Sequence, residues 1–264
     1  MAFTKPFHRN YRAFIERPNS GYSSWAFIVD REYAISPHHY TRAFLLIQED
    51  VQKLFETIEP ADTNLRTFSF RIYELLTRIC IEIETNFKAI LKENVYTPTF
   101  KTGKKAGAPK TEEFWNINDY IKINKTHHLD SYAVELPFWR GSKKEYKPFA
   151  SWENKGSLSW FQAYNELKHD RNEKFELANF ENLINAFTGL FILLSSQFQC
   201  ESFSPGETVL AINADDYFDG EFGIGGYLKI KFPTNWKEEE MYDFDWSVLK
   251  KESNRFEKID YNNL

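Results

Sequence analysis

Hydrophobic positions along the chain recur mostly at helical spacing. Phe44, Ile47, Val51, Leu54, Phe55 and Ile58 fall at i, i+3, i+7, i+10, i+11 and i+14, which is one face of an α-helix. Pro37 lies in the first turn of that helix or just before it. Pro60 ends it, because proline has no amide hydrogen to continue the ladder. A second helix is predicted from about Leu65 to Asn94, with Ile72, Leu75, Leu76, Ile79, Ile83, Phe87, Ile90 and Leu91 as its stripe. Its other face carries Arg71, Glu74, Arg78 and Glu82 at i+3 and i+4 steps. That row reads first as a solvated salt-bridge ladder and otherwise as a charged wall facing a cleft. A third, shorter helix spans roughly Ser157 to Arg171, with Trp160, Tyr164 and Leu167 apolar and Ser159 and Gln162 spaced as a capping box. The fourth runs from about Glu176 to Cys200. Phe180, Leu183, Ile184, Phe187, Leu190, Phe191, Leu194 and Phe198, widened by Ile192 and Leu193, mark it as the central helix.

Two regions break this period. Tyr96 to Lys110 contains Pro98, Gly103, Gly107 and Pro109 with Lys101, Lys104, Lys105 and Lys110 and no acid, the composition of a mobile surface loop. After the glycine-rich stretch Gly220–Gly226 the period switches to two: Leu228, Ile230 and Phe232 alternate with Tyr227, Lys229 and Lys231. Thr208, Val209, Leu210 and Ile212 are candidates for a partner strand. The expectation is a mainly α protein, a helical bundle with a small C-terminal β element. It forms one domain over 1–264, with a helical core at about 37–200 and a β-containing extension at 201–264.

Composition narrows the class of function. With 264 residues, 42% of them hydrophobic, the chain is long enough to bury a sizeable core and is not low-complexity. The net charge of −5 excludes a globally basic nucleic-acid binder. The charge is uneven, however: residues 95–171 hold 13 basic and 9 acidic side chains, residues 172–264 hold 8 and 17. A basic middle beside an acidic tail fits either a nucleic-acid surface or electrostatic packing between the two parts. Cys80 and Cys200 form no disulfide framework and no paired-Cys zinc motif, which points to a reducing cytoplasm. Met1 to Tyr11 lacks the apolar core of a signal peptide. The most apolar stretch, Leu183 to Leu194, contains Asn185 and Thr188 and falls short of the ~20 residues a bilayer span needs.

The segment Trp160-Phe161-Gln162-Ala163-Tyr164-Asn165-Glu166-Leu167-Lys168-His169-Asp170-Arg171 carries the most chemistry. On a helix Asn165 and His169 are i,i+4 neighbours with Lys168 beside them, so an amide, an imidazole and cations collect at the helix end. The simplest explanation is electrostatic, since cations there complement the helix dipole by ~0.3–1 kcal/mol. This Asn-x-x-x-His helix end, with an amphipathic helix after it and a Glu-bearing long helix before it, resembles HEPN (higher eukaryote and prokaryote nucleotide-binding) domains. The resemblance covers roughly Leu65 to Cys200, and Tyr164 to Arg171 is its specific part. It implies an α-helical bundle, a homodimer, and RNA or nucleotide-phosphate recognition, with metal-independent ribonuclease activity of a toxin or phage-defence kind and no cofactor. Asn165 and His169 match the family's motif. Tyr164 stands where the family's nucleases keep an arginine, which leaves Lys168 and Arg171 as the available cations. In such a site RNA attacks itself through its 2′-OH, His169 takes the proton, and the cations stabilise the phosphorane. The alternative function is a non-catalytic helical dimerisation or protein-interaction module.

A second candidate lies between Phe138 and Trp152, where Arg140, Lys143, Lys144 and Lys147 alternate with Trp139, Tyr146, Phe149 and Trp152. Cations for phosphates and rings for bases are what single-stranded nucleic acid requires. The alternative is a loop whose rings tuck into the core while its lysines stay wet. The remaining signals are weaker. His38-His39 and His127-His128 are adjacent pairs that do not share a helix face, so no metal site is assigned. Gly223-Ile224-Gly225-Gly226 reads as a turn before a strand. Gly103-Lys104-Lys105 lacks Walker spacing, and the acidic run from Asp215 lacks the glutamate of a calcium loop.

Overall fold

A computed structural model describes residues 2–16, 23–203 and 220–264. Its helices are α1 (Ser23–Ala26), α2 (Pro37–Phe55), α3 (Phe70–Glu93), α4 (Ile117–His127), α5 (Ser159–His169), α6 (Phe180–Phe198) and α7 (Trp246–Leu249). The four periodic segments thus become α2, α3, α5 and α6. α3 starts later than the predicted start at about Leu65, because Ser69 is the N-cap, its hydroxyl accepting from the Ile72 amide at 3.2 Å. α6 likewise begins at Phe180, behind an Asn179 cap that accepts from Asn182 at 3.0 Å. The capping box expected at Ser159 and Gln162 does not form. Leu158 is the N-cap there and offers no side-chain acceptor.

α6 is the axis of the fold. From Phe187 through Phe198 every residue is buried, so this stretch is enclosed all round and apolar apart from Thr188, Ser195, Ser196 and Gln197. α3 makes its most extensive packing against it, and α2 and α5 close two further sides. Phe44 of α2 lies stacked at 5.6 Å from both Phe187 and Phe191. The charged face of α3 forms a ladder across to α2: Asp50 accepts from Arg78 at 2.6 Å and from Arg71 at 3.2 Å.

A four-stranded antiparallel sheet lies beside the helices in the order β2-β1-β4-β3, with β1 (Ala133–Glu135), β2 (Glu145–Tyr146), β3 (Glu221–Phe222) and β4 (Lys229–Lys231). The β element is therefore not confined to the C-terminal part. Two of its strands come from the middle of the chain, and Val134 pairs with Ile230. This placement also changes the face assignment of β4. Within this central strand Lys229 is buried, opposite Glu135 and with its ammonium 5.4 Å from the Phe222 ring, while Lys231 on the same face stays exposed. The candidate strand Thr208 to Ile212 and the acidic run from Asp215 lie outside the described residues.

The N-terminal segment threads between the C-terminal part and the helices, as period analysis did not foresee. Phe3 and Phe14 each bridge Tyr242, and Phe7 bridges Glu257. Arg9 is fully buried, donating to Glu93 at 2.6 Å, Gln197 at 2.9 Å and the Ile35 carbonyl at 2.8 Å, with its guanidinium 4.4 Å from the Tyr40 ring. One apolar core runs continuously from Phe7 to Tyr261. Among the described residues no helix is long and apolar enough to cross a membrane.

Candidate functional site

α5 presents two faces. Trp160, Phe161, Ala163, Tyr164 and Leu167 point into the core, with the Trp160 indole donating to the Pro148 carbonyl at 2.9 Å. Gln162, Glu166, Lys168 and His169 are exposed and Asn165 is half-buried. The helix ends at Asp170, whose amide closes on the Glu166 carbonyl at 2.8 Å. Lys174 folds back to within 3.8 Å of Glu166.

Where α5 meets α3, a surface cavity of about 330 Å³ opens, lined by Tyr73, Thr77, Ile81, Glu84, Thr85 and Lys88 of α3 and by Tyr164 and Lys168 of α5. Tyr164, at the position the resemblance gives to arginine, is buried. Burial, and after it the negative charge of Glu84, push its phenol well above the usual tyrosine range. Position 164 therefore supplies a phenol and no cation. Positive charge comes instead from one turn further along, where the Lys168 ammonium lies 5.9 Å from the Tyr164 ring. Arg171 reaches the same rim, with its guanidinium 5.6 Å from the ring of Tyr73 and 5.8 Å from that of Phe70. Lys168 and Lys88 thus line one depression, and Arg171 lies beside it against the Tyr73 ring, outside the lining. Asn165 and His169 sit one position further round the helix, outside the cavity lining. His169 makes no hydrogen bond or ion pair among the described residues.

The second candidate region is built differently from its expectation. Asp62 organises it, accepting from the Trp139 indole at 2.7 Å, the Ser142 amide at 2.8 Å and the Lys143 amide at 3.2 Å. These bonds hold the Asp62 carboxyl below the usual carboxylate range, the Trp139 indole contributing most. Gly141 is required here: its φ is +134°, and any Cβ would collide with the Asp62 carboxylate. Trp139 is buried and stacks on Phe180 at 5.8 Å, and Tyr146 is buried edge-on to Trp139. Neither ring is open to a base, so Trp139 and Tyr146 are core residues and not stacking platforms. Three of the four cations meet acids of the same chain: Lys143 and Glu181 at 2.5 Å, Lys147 and Glu145 at 3.0 Å, Arg140 and Glu59 at 3.4 Å. Lys144 is exposed.

The histidine pairs do not approach a metal geometry. His127 is fully buried and bonded to Asn10, Thr126 and the Arg9 carbonyl, while His128 stacks on Trp236 at 4.0 Å. Among the described residues no three His, Cys, Asp or Glu side chains converge as a metal site. Sequence reasoning missed the α3 wall of the cavity. Its signal was the row Tyr73, Thr77, Ile81, Glu84 and Lys88, one helix face of mixed character that the apolar stripe and the ladder both left unassigned. Comparison with protein-family models, with curated proteins and with solved structures finds no match for this chain.

Proposed function

We propose that the exposed end of α5 recognises RNA phosphates in the manner of a HEPN-like helical domain. Lys168 and Arg171 contact the phosphate, and His169 transfers the proton where cleavage follows. The observation that carries this reading is that His169 is exposed and engaged in no structural interaction, next to Lys168, which lines the cavity, and near Arg171, which packs on the Tyr73 ring at its edge. An imidazole kept for the fold would be buried and bonded, as His127 is. In the reaction His169 accepts the 2′-OH proton and the 2′-oxygen bonds to phosphorus. The bond from phosphorus to the 5′-oxygen then breaks as that oxygen takes a proton from solvent water, leaving a 2′,3′-cyclic phosphate and a 5′-hydroxyl. The proton held by His169 passes to the hydroxide so formed. Lys168 and Arg171 offset the charge that grows on the non-bridging oxygens. Asn165 is a positioning residue in this scheme.

The alternative, a non-catalytic dimerisation or interaction module, draws on the same surface. Phe70 is 62% exposed, Phe68 51% and Ile81, which lines the cavity, 50%, apolar surface that association could cover. Metal-free cleavage and binding of a single-stranded RNA separates the two readings. Under the nuclease reading His169→Ala lowers cleavage by ~10²–10⁴-fold with an unchanged thermal midpoint. Lys168→Ala with Arg171→Ala flattens the dependence of affinity on salt, by roughly 0.7 powers of salt for each phosphate no longer neutralised. Wild-type protein that neither cleaves nor binds RNA at low salt would leave the interaction module standing.

A further inference from the structure

The segment 96–110 is exposed but not shapeless: Thr99 bridges Pro109, and the amides of Phe100 and Lys110 bond across to the carbonyls of Ala108 and Pro98 at 3.0 and 2.8 Å. This hairpin-like loop, the start of α4 and the chain around Asn262 enclose a cleft of about 780 Å³. Lysines reach it from separate places: Lys101 near the loop tip, Lys110 at its end, and Lys122 on α4. Asp119 is the only carboxylate residue among the lining side chains, and three donors already engage it. It accepts from Lys110 at 2.5 Å, from the Tyr96 hydroxyl at 2.6 Å and from the Asn116 amide at 2.8 Å. Lys122 donates to the main-chain oxygens of Tyr261 and Leu264 at 3.0 and 2.6 Å. Burial first, then the charges of Lys125 and Lys101, hold its ammonium below the usual lysine range, and Asp119 and Asp260 offset this only in part. Lys101 has no ion-pair partner among the described residues.

Rings form the walls. Phe100 and Phe114 meet edge to face at 5.4 Å, and Phe114 is 42% exposed although Lys105 approaches its ring at 4.7 Å. Tyr96 is anchored by Asp119 below and by Trp115 at 5.2 Å. Asn118 and Asn262 add amides at the rim. A cleft of this volume lies in the range of small-ligand sites, where a few convergent polar groups fix orientation and apolar walls supply contact. Crowded ammonium groups favour an anion, and an exposed ring face favours a flat partner.

We propose that this cleft binds a planar ring bearing a phosphate, the chemistry of a nucleoside monophosphate, with Lys101 and Lys122 on the phosphate and Phe114 against the ring. It shares no residue with the α5 cavity and does not rest on the reading of that site. Calorimetric titration at low salt with AMP and UMP, and with adenosine and inorganic phosphate as separate arms, tests it. Both nucleotides should bind, with adenosine and phosphate each about tenfold weaker or more. Lys101→Glu, on an exposed loop, should weaken AMP about tenfold or more without moving the thermal midpoint. Phe114→Ala should weaken AMP but not inorganic phosphate. The proposal is overturned if neither nucleotide binds at about 1 mM, or if adenosine or phosphate alone binds as tightly as AMP. It is also overturned if affinity ignores either Lys101→Glu or Phe114→Ala.

Discussion

Acidification should destabilise the protein through His127, and by an amount the structure sets. The imidazole is fully buried; its Nε2–H donates to the Arg9 carbonyl at 2.8 Å, so Nδ1 carries the lone pair, which accepts from the Asn10 amide at 3.0 Å, with the Thr126 hydroxyl oxygen 2.8 Å away. A second proton would have to sit on Nδ1, facing the Asn10 amide donor. Burial is the main cause that lowers the pKa from 6.5 to about 3, with the charge of Arg12 adding to it. Between those two values the unfolded chain binds a proton that the folded chain refuses. The contribution is therefore complete above pH 6.5 and is lost as the pH falls towards 3. Each pH unit inside the window corresponds to at most ~1.4 kcal/mol, and integration from pH 7 to pH 5 gives about 2 kcal/mol. At this chain length that is a fall in thermal midpoint of roughly 4–8 °C. The assay is urea or thermal unfolding at pH 7, 6 and 5 on wild type and on His127→Gln, whose amide can still donate to Arg9 without titrating. His8, lowered mainly by burial, and Glu82 and Glu135, raised by it, titrate in both proteins and cancel in the comparison. Parallel pH profiles for the two proteins would refute the reasoning, because they would mean that the folded state accommodates the imidazolium.

Phe44→Ala removes a ring held between Phe187 and Phe191 and should cost about 3–5 kcal/mol, read as a lower urea midpoint with an unchanged slope. Asp62→Ala should release the segment around Gly141 and bring trypsin cleavage at Lys143, Lys144 and Lys147 that wild type resists. Equal digestion of both proteins would show that Asp62 is not what holds the segment. In wild type, trypsin should cut first at Lys101, Lys104 or Lys105, which are exposed around the hairpin tip. A first cut elsewhere would count against the exposure of that loop.

The helices were legible because a 3.6-residue apolar period survives in α2, α3, α5 and α6 whatever they pack against. Burial of an apolar stripe is a local demand, and the stripe records it. The widened stripe of α6 likewise marked it as central. Local caps set the ends of these helices, and there the pattern misled: Ser69 and Asn179 start helices inside the predicted spans, and Ser159 caps nothing. The Asn165–His169 pair was visible as spacing on one helix. Its cavity was not, since Tyr73, Glu84 and Lys88 come from a helix about eighty residues earlier and meet Tyr164 and Lys168 only after folding. Alternating cations and rings from Arg140 to Trp152 looked like a nucleic-acid surface. Only the tertiary contacts could show that Asp62 and Phe180 claim Trp139 for the core, because the sequence records that a ring is present but not which side of the backbone has room for it. The same holds for Arg9, His127 and Lys229, whose polar heads are buried because partners distant in the chain satisfy them. The basic, glycine-bearing loop at 96–110 is exposed as its composition indicates. That it pairs with itself and walls a cleft against α4 and Asn262 was decided by hydrogen bonds across the loop and by packing between segments more than 150 residues apart.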